Sequence, residues 1–506
     1  MIKVQHDLET LLGPDRVATD PANRLLYARD MMSGGLLQMK AGLEPRLPDL
    51  ICWPETSQEV SKILKIANRH RVPLVPYGAG SGVSGGTNPL HGGIMLDLKR
   101  MHRIERIEER EGRFYVTAQS GILGQHLEKD LNARGFTLGH FPSSMLCATL
   151  GGYLACRSAG QLSSKYGKIE DMVDEIETVL ANGDILPFGR GHRLIPQVRP
   201  KDVFVGSEGC LGVVTRSRLR IYPLTPATRY RGVSFPNLKM AIDAVREVMQ
   251  AGLRPAVVRL YDPLDSMLLS HGYKKSVAGG GLVSKLLKKI PAEELGDGFH
   301  RQLLRYPGLF QDLVKQLSSE VLLVIATEGS AALAAVLEKK TLEICRRHRG
   351  RDLGERPGLH WRDHRYSVSF KMPKMFSKNF FVDTIEVATT WSNLQNLYHA
   401  IKKPLERDAL VLAHFSHAYP EGCSIYFTLV ARGYTPDHDV RTYAHLWDDA
   451  MEACLAAGGT ISHHHGIGTL KAKYLPRELG GAMQLYRTYK KRLDPRGILN
   501  PGKMGL

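Results

Sequence analysis

Apolar positions recur along the chain in short blocks, and the period of each block predicts its element. Leu50-Ile51-Cys52-Trp53 is a continuous apolar run closed by Pro54, a short strand. Behind it Thr56 and Glu59 stand at capping-box spacing, and Val60, Ile63, Leu64 and Ala67 share one helical face. Val72 to Tyr77 returns as a strand, so residues 50–77 form a strand–helix–strand unit. Phe114 to Ala118 alternates as a strand, Gly121 interrupts, Leu123 to Ala133 is helical and Gly135 stops it. Ile176–Leu180 and Ile185–Phe188 flank Asn182-Gly183, a hairpin signal. From residue 226 a new alternation begins: a strand near 231–235, a helix at 238–251, a strand at 255–260, a strand at 321–327 and a helix at 331–347. A strand at 381–389, a helix at 391–405 and strands at 410–416 and 424–430 follow. The pattern predicts an α+β protein with a polar, partly helical lead-in at 1–45 and a first domain at 46–225. A second α+β domain spans 226–475, and a C-terminal segment at 476–506 returns to the first.

Three Gly-punctuated stretches interrupt the first domain. The first is Pro76-Tyr77-Gly78-Ala79-Gly80-Ser81-Gly82-Val83-Ser84-Gly85-Gly86. Successive backbone N–H groups in such a turn make a concave anion site. Gly80, Gly82 and Gly85 satisfy G-x-G-x-x-G, but the strand-like Ile94 to Leu98 follows where a dinucleotide fingerprint requires a helix. The reading is a strand–loop–strand phosphate cradle, with an ordinary Gly-rich loop as the alternative. Residues 139–160 are dense in small and hydroxyl side chains, suited to close approach of a flat ligand or to a tight helix–helix contact. Ser207 to Thr215 is the third stretch.

Charge and cysteines narrow the class. The formal net charge of +17 favours an anionic partner, while no Lys/Arg block or zinc-finger spacing supports nucleic acid. Seven scattered cysteines without C-x-x-C fit a reducing compartment and no structural zinc. The first twelve residues lack the apolar core of a secretion signal, and no run reaches the about 18 apolar residues of a bilayer span, so a cytoplasmic location is expected. Over 282–318 apolar residues and Lys segregate at helical spacing, which allows a peripheral membrane contact or an exposed helix over a core. A homodimer is also open. Arg259 lies inside an apolar strand and must meet an anion or be heavily hydrogen-bonded. In Ser462-His463-His464-His465-Gly466-Ile467-Gly468, an extended backbone would put His463 and His465 on one side and His464 on the other. Three imidazoles offer proton transfer and phosphate contacts, with a metal site as the rival reading.

The three Gly-rich stretches, in this order, resemble the FAD-binding domain of the vanillyl-alcohol oxidase/p-cresol methylhydroxylase superfamily, over roughly residues 45–225. The resemblance assigns Pro76, Tyr77, Gly78, Ala79, Gly80, Ser81 and Gly82 to the FAD pyrophosphate. It assigns Pro142, Ser143, Ser144, Ala148, Thr149, Ala155, Cys156, Arg157, Ser158, Glu208, Gly209, Gly212 and Val214 to the rest of the cofactor. Covalently flavinylated members often carry His in the first loop; the nearest match here is Ser81, which implies non-covalent FAD. Ser462 to Gly468 together with Cys423-Ser424-Ile425-Tyr426-Phe427 resembles the alkylglycerone-phosphate synthases, the ether-lipid enzymes, across nearly the whole chain. That likeness implies Tyr426 as catalytic acid/base, His463, His464 and His465 as the essential triplet, and Arg259 as the arginine needed for activity. It also implies exchange of the fatty acid of an acyl-glycerone phosphate for a fatty alcohol through an adduct at flavin N5. The family's phosphate-holding Arg, counted back from Trp391, falls on Met372, with Lys371 and Lys374 beside it, and Lys371 is the substitute. His414 and His417 differ from the ether-lipid pattern and suit oxidation of a small 2-hydroxy acid, the second reading, with His414 at the substrate.

Overall fold

The computed structural model describes residues 1–188, 198–273, 307–308, 311–312, 319–367, 372–377 and 379–506. The chain divides into two compact units. The first comprises Met1–Gly160, Tyr166–Leu224 and Ser462–Leu506, the second Gln161–Lys165 with Thr225–Ile461.

The first unit carries two sheets. Strands β1 (Val17–Ala18), β2 (Leu50–Cys52), β3 (Leu74–Tyr77) and β4 (Ile94–Asp97) lie in the order β1-β2-β4-β3, with β2 and β3 both parallel to β4. Parallel strands are buried on both faces and read as unbroken apolar runs. One face packs Leu50, Leu74, Ile94 and Leu96 against Val60, Ile63, Leu64 and Ala67 of the helix Ser57–His70 and Val4, Leu8 and Leu12 of the helix Ile2–Leu12. The other face packs Ile51, Val75, Tyr77 and Met95 with Tyr27 and Trp53. Thr56 caps the helix by accepting from Glu59 N at 3.1 Å, as its spacing predicts. The second sheet is antiparallel. It joins β5 (Ile104–Arg110), β6 (Arg113–Gln119), β7 (Phe136–Thr137) and β8 (Val173–Val179) around the long β9 (Val213–Pro223). β5 is nearly all charged (Ile-Glu-Arg-Ile-Glu-Glu-Arg), which hid it in the apolar pattern.

Among the described residues the second unit is built on seven antiparallel strands: β10 (Ala227–Phe235), β11 (Val257–Tyr261), β12 (Val321–Gly329), β13 (Arg351–Asp352), β14 (Phe380–Thr390), β15 (Leu410–Ala418) and β16 (Gly422–Arg432). Their order is β13-β10-β12-β11-β15-β16-β14. The helices Leu238–Gln250 and Ala331–Arg347 fall where the sequence places them. Pro436–Ala456 forms a further long helix; Thr435 at its N-cap and Pro436 at its first turn were its unread signal. The sequence division puts the return to the first domain at 476, whereas the compact units divide at Ser462. The amides of Thr469 and Leu470 donate to Ser84 O, so the chain has rejoined the first unit by then.

Candidate active site

β3 runs directly into the first Gly-rich loop, and the loop runs into β4, its parallel neighbour, without a helix. This is the strand–loop–strand geometry expected. Two close approaches require glycine. A Cβ on Gly78 would collide with Thr149 Oγ1, and one on Gly80, at φ +62°, with Tyr77 Oη. Thr149 caps the short helix Leu150–Cys156, accepting from Gly152 N at 3.2 Å, so the small-residue stretch is a capped helix start beside the loop. Ala148 O accepts from Gly124 N, Arg157 ends the helix at φ 54°, and its Nε lies 3.1 Å from Glu170. Ser158 Oγ lies 2.7 Å from His140 Nε2; burial drives the His140 pKa down to about 3, so this imidazole is neutral. Gly212 packs on Thr178, and Val214, the second residue of β9, pairs with Thr178.

Buried charges tie these stretches together. Glu208 N donates to Ala155 O, and its two carboxylate oxygens accept from Ile467 N (2.5 Å) and Gly468 N (2.9 Å). Asn500 Nδ2 bridges Gly86 O and Glu208 O at 3.0 and 2.7 Å. Asp30 accepts from Met32 N and Gly86 N, and Lys503 Nζ donates to Asn88 O at 2.7 Å. Burial raises the Glu208 pKa to about 7 and the Asp30 pKa to about 6, against the pull of those amides and of Lys503. Burial likewise lowers the Lys503 pKa to about 8. Glu208 was assigned to the cofactor by resemblance; its carboxylate is spent on the Ile467–Gly468 turn, where it holds the His run against the loops.

The His run is bent rather than extended, so the alternation of an extended backbone does not apply. His463 Nδ1 lies 3.0 Å from His464 Nδ1, and ring centroids are 5.2 Å apart for His463–His464 and 4.6 Å for His464–His465. Ser84 Oγ donates toward His465 O and Gly466 O. A Cβ on Gly466 would stand 2.7 Å from Glu208 Oε1 and 3.4 Å from Cys156 Sγ. All three Gly-rich stretches and the His run therefore converge within the first unit.

In the second unit, register assembles a row across the sheet. Tyr261 pairs with His414, His414 with Tyr426, and Tyr426 with Glu386. Opposed residues of antiparallel strands share a face. His414 and Tyr426 stack at 4.7 Å and 22°, and Arg259, two residues before Tyr261, brings Nη2 to 3.3 Å from His414 Nδ1. A guanidinium has no acceptor, so Nδ1 is the accepting atom in this contact. Burial raises the Tyr426 pKa, while a hydrogen bond with Thr384 and the Arg259 charge lower it. Asp265 Oδ2 stands 4.0 Å from His414 Nδ1; burial and Asp262 raise the Asp265 pKa to about 7. His417 Nδ1 lies 2.7 Å from Ser163 Oγ. Lys371 lies outside the described residues, as does the 282–318 stretch apart from residues 307, 308, 311 and 312. Neither Glu386, which the sequence places in the 381–389 strand, nor Asp265 was among the expected site residues. An acid between Ile385 and Val387 in a buried strand is the signal that finds Glu386.

Residues 224–504 match the family of FAD linked oxidases, C-terminal domain, and residues 48–189 match the FAD binding domain. The chain belongs to the FAD-linked oxidases. An alkyldihydroxyacetonephosphate synthase of Trypanosoma brucei brucei is 30% identical over 98% of this chain and 80% of its own length. The glycolate oxidase subunit GlcD of Bacillus subtilis is 28% identical over 99% and 96%. A solved alkyldihydroxyacetonephosphate synthase superposes with TM-score 0.77 at 26% identity, covering 99% of this chain and 84% of that one. Substrate-bound p-cresol methylhydroxylase, at 17% identity and TM-score 0.71 over 100% and 96%, shares the fold.

This FAD-linked oxidase is thus an FAD-dependent enzyme of α+β, p-cresol-methylhydroxylase-type fold. Its first unit fits the cofactor. Among the described residues the backbone amides of Ala79, Gly80, Ser81, Gly82 and Val83 donate to no protein acceptor, a run of N–H groups left for a diphosphate. No helix among the described residues is long and apolar enough to cross a membrane.

Proposed function

We propose that this FAD-linked oxidase is an alkylglycerone-phosphate synthase, which exchanges the fatty acid of an acyl-glycerone phosphate for a fatty alcohol. The observation that carries the reading is the similarity to alkyldihydroxyacetonephosphate synthases over 98% of the chain. Bound FAD supplies an electrophilic ring able to accept a carbon nucleophile or a hydride. Tyr426 moves the substrate proton. Burial keeps its phenol protonated, and Arg259 is the cation that draws its pKa back toward use. Arg259 also orients the His414 ring, which stacks on Tyr426. The His463–His465 run shuttles protons in the first unit, and Lys371 is the cation this reading assigns to the phosphate.

Oxidation of a 2-hydroxy acid is the second reading, favoured by the similarity to GlcD and by His414 and His417. Anaerobic mixing with substrates separates the two. Loss of the oxidised flavin spectrum with acyl-glycerone phosphate, reversed by fatty alcohol and not by oxidant, is expected. Bleaching by a 2-hydroxy acid, reversed by air or a dye, overturns the proposal.

A further inference from the structure

The first Gly-rich loop is held by its carbonyls. Gly78 O accepts from Lys99 Nζ at 2.9 Å, Gly82 O from Met31 N at 2.8 Å and Gly86 O from Asn500 Nδ2 at 3.0 Å. The amides between the first two of these clamps, Ala79 to Val83, are those that donate to no protein acceptor among the described residues. A trans peptide is planar, with each C=O antiparallel to the next N–H. A clamp on Gly78 O therefore turns Ala79 N–H to the opposite side, and a clamp on Gly82 O turns Val83 N–H likewise.

The clamp on Gly78 is itself built. Lys99 Nζ also donates to Asp97 Oδ2 at 2.5 Å and sits 4.9 Å from the Tyr77 ring centroid and 5.5 Å from that of Tyr27. Asp97 is wholly buried and accepts further from Tyr27 Oη (2.6 Å) and Trp53 Nε1 (3.1 Å). Carbonyl, carboxylate and ring faces occupy the ammonium, so Lys99 is committed to the loop rather than left for a ligand. Nothing in the apolar pattern marks it, since it follows β4 in a single turn of helix at Leu98–Arg100. We infer that Lys99 is a positioning residue for the FAD diphosphate: by holding Gly78 O it aims the first amide of the cradle at the cofactor.

The inference rests on FAD as the cofactor, and the test separates the two. Apoprotein is titrated with FAD by flavin fluorescence, for the wild type, Lys99→Met and Lys99→Arg. Wild-type binding establishes the cofactor. Lys99→Met is expected to weaken FAD about 10-fold or more, the loss of one charge-assisted hydrogen bond. In the FAD-loaded variant, hydrogen exchange is expected to rise over residues 79–83 and to stay level over the helix Ser57–His70. The visible flavin spectrum keeps its position. Should Lys99→Met not fold, Lys99→Arg keeps Asp97 paired, yet its planar fork cannot hold both oxygens from one atom, and several-fold weaker FAD is expected. FAD affinity within twofold of the wild type, in whichever variant folds, overturns the proposal, as does unchanged exchange over 79–83.

Discussion

At the residue scale the chemistry turns on protonation. Tyr426 is stacked on His414 and lies near the Arg259 charge, so Tyr426→Phe keeps the packing and removes the proton carrier. Turnover is expected to fall at least about 100-fold with FAD content unchanged, read from steady-state rates and the flavin absorbance. Ser81 is the nearest match to the His that covalently flavinylated relatives often carry in this loop, so acid precipitation is expected to release the flavin into the supernatant. Glu208 gives a stability prediction. Its ordinary pKa of 4.5 is raised to about 7 by burial, so below pH 4.5 both folded and unfolded states are protonated and its contribution is whole. As pH rises from 4.5 to 7 the unfolded state releases the proton first, and stability is lost. Urea unfolding across that range is expected to show the wild type losing about 3 kcal/mol relative to Glu208→Gln. Residue types were legible at this scale for Tyr426, Arg259 and the His run. Glu386 was not, because strand register sets it opposite Tyr426, and neither was Asp265, because burial and its approach to His414 depend on the fold.

At the element scale the cradle depends on two segments meeting without a side chain between them. Gly78→Ala puts a methyl into Thr149 Oγ1, so overpacking of about 1–3 kcal/mol is expected, together with weaker FAD binding in the same titration. Thr149→Ala relieves that clash but removes the N-cap of Leu150–Cys156, at about 1 kcal/mol in thermal unfolding. The helix Ala331–Arg347 and the longer strands of the second unit were legible from their apolar patterns, whereas the two-residue β13 was not. β5 was not, since a charged edge strand leaves no apolar alternation to read. The bend of the His run was not legible either, since the turn that follows it is held by Glu208 and Ser84, each far away in sequence.

At the scale of the whole molecule, the last residues are part of the first unit's core. Ile498 and Leu499 join the apolar cluster of β2, β3 and β4, Ile498 O accepts from Leu74 N, and Asn500 and Lys503 tie down the Gly-rich loops. Deleting residues 495–506 is expected to yield protein without flavin absorbance and with a broadened thermal transition; a flavin-loaded truncation with a sharp transition would contradict this. The sequence by itself determined the elements, the Gly positions that let backbone approach backbone, and the identity of the groups able to carry protons, because periodicity, steric size and side-chain chemistry are local. Only the tertiary structure decided which of those groups meet. Pairing register set Tyr261, His414, Tyr426 and Glu386 in one row, burial set the proton affinities of Glu208 and Asp265, and contacts between distant segments left five amides of one loop without a protein acceptor among the described residues. Each depends on residues far apart in the chain, which no local pattern records.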